Sequence, residues 1–339
     1  MSRTHAREVI TLREAGAGGR GVAVLVPCYN EEPTVARVVA RFREELPLAR
    51  VYVFDNNSTD RTVEESGRAG AVVFTERRQG KGYVVQSMFR QVDADFYVMV
   101  DGDDTYPPEA VHALLAPVVA GEVDMSVGSR LHERSQSQFK RRNRMANRLV
   151  RSTLNFIFRV ELTDILSGYR AFSREFVKGL PLFGGGFEIE TELTIKAVER
   201  GYRLVEIPVD LTHRPEGSHS KIQFLRDGFL ILNTTLALFR DYKPLTFFGG
   251  VGLFLLLLAC VAGAAGLLRL GGAVPGTLLV AAAAGLFVSG LLSLTAGLIL
   301  HSIARRSQEF EYHVRVLTDE LRTARAHSGD ERNGGAAGR

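Results

Sequence analysis

The chain of 339 residues contains no tryptophan and only two cysteines, Cys28 and Cys260. The first absence removes any recognition that depends on an indole platform. The second excludes a disulfide scaffold and a cysteine zinc centre, and fits a reducing compartment. The N-terminal stretch lacks an apolar run of the length a secretory signal needs, so the bulk of the chain is expected to stay cytoplasmic. Charge of one sign is also scarce: 42 Lys and Arg stand against 38 Asp and Glu. A chain-wide nucleic-acid surface is therefore not expected. With 45% apolar residues the chain can bury a large core, which excludes disorder and collagen-like repeats.

The charge that exists is concentrated. Between Arg130 and Arg151 eight Lys or Arg (Arg130, Arg134, Lys140, Arg141, Arg142, Arg144, Arg148, Arg151) face one acid, Glu133. The same segment carries Ala146, Leu149, Val150, Thr153, Leu154, Ile157 and Phe158 at helical spacing. That pattern predicts a basic amphipathic helix near 139–158, lying on an anionic surface or packing one face on the domain core. Long apolar runs begin only at Leu245: no charge occurs in 24 positions from Leu245 to Leu268, or in 28 from Ala273 to Leu300. Each is long enough to cross about 30 Å of hydrocarbon, so two membrane spans are expected. Arg240 and Lys243 precede the first run and Arg305 and Arg306 follow the second. By the positive-inside rule both termini and the domain that precedes the first run are expected at the cytoplasmic side of a multi-pass cell-membrane protein. Gly285, Ser289, Ser293 and Gly297 recur every fourth residue. They read either as a close-approach stripe for another helix, including one from a second copy, or as ordinary glycine enrichment of a membrane helix.

Before these runs, short β-branched stretches (22–27, 50–54, 71–74, 96–100, 124–127) alternate with amphipathic ones, the pattern of an open α/β sheet. Ligands of such sheets bind beyond the carboxyl ends of the strands. Two phosphate motifs fail on context. Gly16, Gly18 and Gly21 spell GxGxxG but precede the first strand, and Gly82 stands where a P-loop needs Ser or Thr after Lys81. The run Asp101, Gly102, Asp103, Asp104 ends an apolar strand with three carboxylates in four residues. That is costly unless a cation neutralises it, and hard oxygen donors without nearby His or Cys suit Mg²⁺ or Mn²⁺. His213 and His219 have no partner at metal-ligand spacing.

ValProCysTyrAsnGluGlu (26–32), AspAsnAsnSerThrAsp (55–60), AspGlyAspAsp (101–104) and GlySerArg (128–130) together resemble family 2 glycosyltransferases of the GT-A fold. Further segments, 163–172, 186–192 and 214–221, resemble the dolichyl- or polyprenyl-phosphate sugar synthase branch, so the likeness covers residues 21–243. The resemblance implies a Rossmann-like nucleotide-sugar-binding α/β sheet and inverting transfer from a nucleotide sugar to a polyprenyl phosphate lipid. It puts the nucleotide sugar against Pro27, Tyr29, Glu31, Phe54, Asp55, Asn56, Lys81, Asp101 and Gly102, and the diphosphate and metal at Asp101 and Asp103. Arg130, Arg214 and Lys221 fall at the family's anion-binding positions. Between Arg214 and Lys221 the chain has one residue more than the usual form, and Gly184 to Gly186 lacks a Lys often found before that segment.

A lipid phosphate acceptor also fits the basic segment. A phosphate monoester, with its second pKa near about 6, is already nucleophilic at neutral pH and needs fixed cations rather than a general base. Arg130, Arg141, Arg142 and Arg144 are the candidates. Asp101, Asp103 and Arg130 are the expected catalytic residues. Glu188, Glu190 and Glu192 alternate, and one could serve as base only for a hydroxyl acceptor. A UDP-sugar carrying a hexose or N-acetylhexosamine is the preferred donor, with GDP-mannose the alternative. A processive polysaccharide synthase lacks its tryptophan motif here, and a silent nucleotide-sugar or lipid scaffold conflicts with the intact acidic run. The expected organisation is an N-terminal extension (1–20), a catalytic domain (21–221), a second interface helix (222–243), spans at 245–268 and 273–300, a cytoplasmic helix (301–325) and a disordered tail (326–339).

Overall fold

In the computed structural model seven strands form one mixed sheet, in the spatial order β3-β2-β1-β4-β6-β5-β7. The structure describes residues 21–130, 152, 155, 161–186, 188–211, 224–268 and 275–334, with side chains omitted at 224–231, 308–309 and 311–334. The strands are β1 (Val22–Cys28), β2 (Arg50–Asp55), β3 (Val72–Thr75), β4 (Phe96–Met99), β5 (Met125–Ser129), β6 (Arg170–Ser173) and β7 (Leu204–Pro208). β1 is almost continuously apolar because it is covered on both faces, as a central parallel strand must be. It pairs in parallel with β2, from Ala23↔Arg50 to Cys28↔Asp55, and with β4, from Val22↔Phe96 to Leu25↔Met99. β6 runs antiparallel between β4 and β5, and β7 closes the far edge parallel to β5.

The period-two alternation of the strands sorts their side chains into two cores. Ala23, Leu25 and Met99 point to one face, where Val84, Val85, Met88 and Phe89 of α3 (Lys81–Gln91), Phe176 of α5 (Arg174–Gly179) and Ile189 and Leu193 of α6 (Ile189–Glu199) cover them. Val24, Val26, Val98 and Val100 point to the other, against Val35, Val38, Val39 and Phe42 of α1 (Val35–Glu45) and Leu114, Leu115 and Val118 of α4 (Val111–Val119). α2 (Thr62–Arg68) links β2 to β3. The order reverses at β1, whose neighbours β2 and β4 lie on opposite sides of it, and ligands of open α/β sheets bind in a crevice beyond the carboxyl ends of the strands at such a switch point.

The chain divides into two units, Met1–Leu236 and Ala237–Arg339, with the boundary inside helix α7 (Phe224–Tyr242). Within the second unit, α8 (Pro244–Leu267) and the apolar part of α9, Gly276–Ser307, have mean hydropathies of 2.4 and 2.1 and are long enough to cross a membrane. They pack on each other through bare backbone. A Cβ at Gly252 would lie 2.9 Å from the Gly290 carbonyl, and one at Gly266 2.8 Å from that of Gly276. Ser293 donates to the Phe248 carbonyl at 2.8 Å, and a Cβ on Gly297 would meet that of Phe248 at 3.0 Å. Half of the four-residue stripe therefore serves the hairpin itself, while Gly285 faces open space. α9 continues as one helix to Gly334, past the point where the sequence pattern suggested a tail.

Candidate active site

The loops that follow β1 and β2 are stitched together residue by residue. Asn30, with φ 52, donates its N–H to Ser58 Oγ at 2.8 Å, and its Oδ1 accepts from Thr59 N at 2.7 Å. Glu31 N–H donates to Thr62 Oγ1 at 2.8 Å, and Glu32 is clasped by the Arg61 side chain. Asp55 lies between these loops and is 3% exposed. Its Oδ2 accepts from Ser58 N, whereas Oδ1 is buried without a hydrogen-bond partner. A buried, unsatisfied carboxylate oxygen is expensive, and here it presents an acceptor for a donor that the chain itself does not supply. Phe54 is fully buried and stacked on Phe74 at 4.9 Å. It thus fixes the strand beside Pro27, its register partner, and Tyr29 emerges beyond them as an exposed ring.

Asn56 is buried and holds the next loop. Its Nδ2 donates to the carbonyls of Glu76 and Arg78 at 3.0 and 2.8 Å, while its Oδ1 accepts from Gly80 N at 2.7 Å. These bonds give the side chain a loop-fixing role. Gly80, at φ 137, and Gly82 lie so close to the Gly184 and Gly185 carbonyls that any side chain there would collide. The triple glycine is held from its other side by carboxylates: Glu192 accepts from Phe183 N and Gly184 N, and Glu188 Oε1 from Gly185 N and Gly186 N. Of the three alternating glutamates, Glu192 pairs with Lys196, Glu190 with Lys81, and Glu188 keeps Oε2 buried without a hydrogen-bond partner.

The acidic run after β4 is less bare than its sequence suggests. Asp104, at φ 57, meets Arg37 Nε at 2.8 Å and Arg41 at 3.6 Å. Burial nonetheless outweighs both arginines and raises its pKa. Asp103 Oδ1 accepts from Thr105 N and Oγ1. Asp101 Oδ1 lies 2.6 Å from Lys81 Nζ, and its other oxygen lies against Gly168, whose Cβ, if present, would come within 2.5 Å. Gly102 must be glycine because a Cβ would sit 2.6 Å from Cys28 Sγ, which makes that cysteine a packing residue. Thr34 Oγ1 bonds the Gly102 carbonyl at 2.7 Å and ties the run to the start of α1. The sequence argument for a metal rested on uncompensated carboxylates, and long-range arginines and a lysine supply much of that compensation.

The remaining oxygens are hard donors at the crevice. Among the described residues no group of three or more His, Cys, Asp or Glu could hold an ion unaided. A cation of the Mg²⁺ or Mn²⁺ kind takes one or two carboxylates and completes its shell from substrate phosphates. Asp101 and Asp103 are the residues that would carry it.

Arg130, at the end of β5, is engaged by Asp164. Backbone N, Nε and Nη2 donate to that carboxylate at 2.9, 2.7 and 2.9 Å. Burial opposes both charges, but their proximity wins: Asp164 is held below the usual carboxylate range and Arg130 well above its ordinary value. Glu206 of β7 in turn accepts from Thr163 N and Asp164 N. Arg170, 0% exposed, donates to the carbonyls of Ser167, Ile165 and Glu190 and to Thr194 Oγ1, and burial lowers its pKa to about 10. Residue-by-residue reading missed Asp164, Arg170 and Glu206. Asp164 and Arg170 lie inside the family-like segment 163–172, which marked the stretch but not their roles, and Glu206, within β7, had no signal. Arg141, Arg142, Arg144, Arg214 and Lys221 lie outside the described residues.

Comparison with known proteins adds three observations. The model of a family described as "Glycosyl transferase family 2" matches residues 23–180. Glycosyltransferase AglJ of Haloferax volcanii is 37% identical over 235 residues, 68% of this chain and 76% of that protein. The dolichyl-phosphate hexose transferase of the same organism is 28% identical over 57% of the chain and 83% of its own length. The polyprenol monophosphomannose synthase of Mycolicibacterium smegmatis is 27% identical over 60% and 85%. Among solved structures, glucosyl-3-phosphoglycerate synthase from Mycobacterium tuberculosis, in complex with Mn²⁺, UDP-glucose and glycerol 3-phosphate, superposes with a TM-score of 0.53 at 24% identity. That match covers 67% of this chain and 82% of that one, a likeness of fold.

Proposed function

Because the chain belongs to glycosyl transferase family 2 and carries its sugar-transfer domain on a GT-A sheet, we propose that it moves a hexosyl or N-acetylhexosaminyl unit from a nucleotide sugar, preferentially a UDP-sugar, to polyprenyl phosphate. The observation that carries this reading is the combination, in one chain, of the donor-type crevice with two helices of membrane-spanning length and the basic segment that begins at Arg130. A water-soluble acceptor needs neither helix. Relatives named for dolichyl phosphate and polyprenol phosphate support the lipid. Positive charge before the first span and after the second supports a cytoplasmic catalytic face.

The buried Asp55 Oδ1 would accept an N–H from the base, uracil N3–H for a uridine donor. Pro27, Tyr29 and Glu31, at and just beyond the end of β1, would frame the nucleotide, and Arg214 and Lys221 would meet the donor's anionic groups. Asp101 and Asp103 would hold Mg²⁺ or Mn²⁺, which offsets the charge that develops on the departing diphosphate. The Mn²⁺ and UDP-glucose complex of the fold neighbour supports this choice. A phosphate oxygen of the acceptor attacks the anomeric carbon from the face opposite the nucleotide. The new C–O bond forms as the bond to the diphosphate breaks, which inverts configuration, and no proton need be removed at neutral pH. Arg130, with Arg141, Arg142 and Arg144, would fix the acceptor phosphate against its own hydration.

The test is full-length protein in detergent with polyprenyl phosphate, Mn²⁺ and a panel of UDP-sugars and GDP-mannose, read by the mass of the lipid product. A sugar-phosphate lipid from one UDP-sugar is expected. Product from GDP-mannose alone would replace the donor, and transfer only to a water-soluble acceptor would overturn the lipid reading.

A further inference from the structure

Lys81 has two carboxylate partners, and only one of them lies on the acidic run. It opens α3 immediately after Gly80 and reaches Asp101 Oδ1 and Glu190 Oε1, each 2.6 Å from Nζ. Its side chain is 11% exposed, that of Glu190 5% and that of Asp101 28%. Glu190 sits in the first turn of α6, where its backbone carbonyl accepts from Arg170 Nη2 at 3.0 Å and from Thr194 Oγ1 at 2.9 Å, so its main chain is anchored. The ammonium therefore spans a gap between a carboxylate buried on an anchored helix start and a more exposed one at the end of β4.

We propose that Lys81 is a resident counter-ion of the donor site. It covers Asp101 while no donor is bound, disfavours a bare divalent cation there, and falls back on Glu190 when the cation arrives with a nucleoside diphosphate. The inference rests on the metal role given to Asp101 above. Its physical basis is charge. A divalent cation on Asp101 meets a neighbouring ammonium and gains little from a carboxylate already neutralised, unless the two negative charges of a diphosphate enter as well. Glu190 makes the exchange reversible, because an ammonium leaving Asp101 without it would be buried and unpaired. Cation and nucleotide then bind cooperatively, and by linkage each strengthens the other by the same factor.

Removing the ammonium converts the gap into two carboxylates, Asp101 and Glu190, facing one point with nothing to neutralise them but a cation. The test is a titration of full-length protein with Mn²⁺, followed by the electron paramagnetic resonance of the ion, with and without UDP. Wild type should bind Mn²⁺ weakly alone and about tenfold or more tightly with UDP. Lys81→Met should bind Mn²⁺ alone about tenfold more tightly and lose most of the UDP effect, whereas Lys81→Arg should behave as wild type. Glu190→Gln should shift in the opposite direction, with weaker Mn²⁺ binding in both conditions, because the ammonium is left to Asp101 alone. A merely structural lysine would not give these opposed signs. If Lys81→Met binds Mn²⁺ no more tightly than wild type while Asp101→Asn abolishes binding, the counter-ion proposal is overturned and the metal site stands. If Asp101→Asn leaves Mn²⁺ binding with UDP unchanged, both are overturned.

Discussion

Asn56 Oδ1 accepts the N–H of Gly80 at 2.7 Å, so a residue at the end of β2 fixes the point where α3 begins. The same side chain donates to the Glu76 and Arg78 carbonyls, leaving its amide committed to the loop that delivers Lys81. Asn56→Ala should leave several polar groups unpaired. A loss of about 2–4 kcal/mol in unfolding free energy is expected, at roughly 1 kcal/mol for each bond. Donor affinity should fall with it, measured by denaturant titration and calorimetry on one preparation. Unchanged stability would mean that water replaces the amide without cost.

The Arg130–Asp164 pair is buried, and breaking it strands one charge. Asp164→Asn should cost about 3–5 kcal/mol. Arg130→Ala should in addition slow transfer far more than it weakens nucleotide binding. Normal transfer at saturating donor, with donor affinity lost, would move Arg130 to the nucleotide site.

Glu76 gives an acid signature. The Arg78 side chain, and after it the Ser87 hydroxyl, outweigh burial and hold its pKa at about 2, against an ordinary 4.5. A carboxylate depressed by folding stabilises the protein above its unfolded pKa, and that contribution fades as pH falls toward the folded one. The melting-temperature advantage of wild type over Glu76→Gln should be flat above about pH 4.5 and shrink between there and pH 2. A difference independent of pH would remove the charge from the explanation.

Gly80 combines φ 137 with a carbonyl where a side chain would begin. Gly80→Ala should cost about 1–3 kcal/mol and disturb the contact with the triple glycine. Donor binding is expected to suffer more than the cooperativity of unfolding. A variant with wild-type donor affinity would show that the two loops can part without consequence.

The acidic run yields a metal prediction. Asp103→Asn should abolish turnover with the fold intact by circular dichroism, and excess EDTA should do the same to wild type until Mn²⁺ or Mg²⁺ is restored. Full rates in EDTA would exclude a metal role for Asp101 and Asp103.

Strands β1 to β5 were legible within one or two residues because each couples a β-branched run to polar punctuation, and the apolar helices were legible from length alone. β6 was not: four residues, Arg170 to Ser173, give no periodicity, and their antiparallel insertion is a choice of tertiary packing. The acidic run was located correctly, but its charge balance was misjudged. Arg37, Arg41 and Lys81 lie on helices whose approach no local pattern encodes. Glu190 was read as one of three alternating acids, and nothing short of the fold joins it to Lys81.

Where the chain leaves the sheet after Arg130 and where it returns at Thr163, the two ends are fastened side by side. Ser129 Oγ lies 2.8 Å from Thr163 Oγ1, and Arg130 is fastened to Asp164. Fastening both ends to each other insulates the register of the sheet from the length of chain that joins them. Lengthening that chain costs little, since each doubling of a closed loop adds only about 0.6 kcal/mol of entropy.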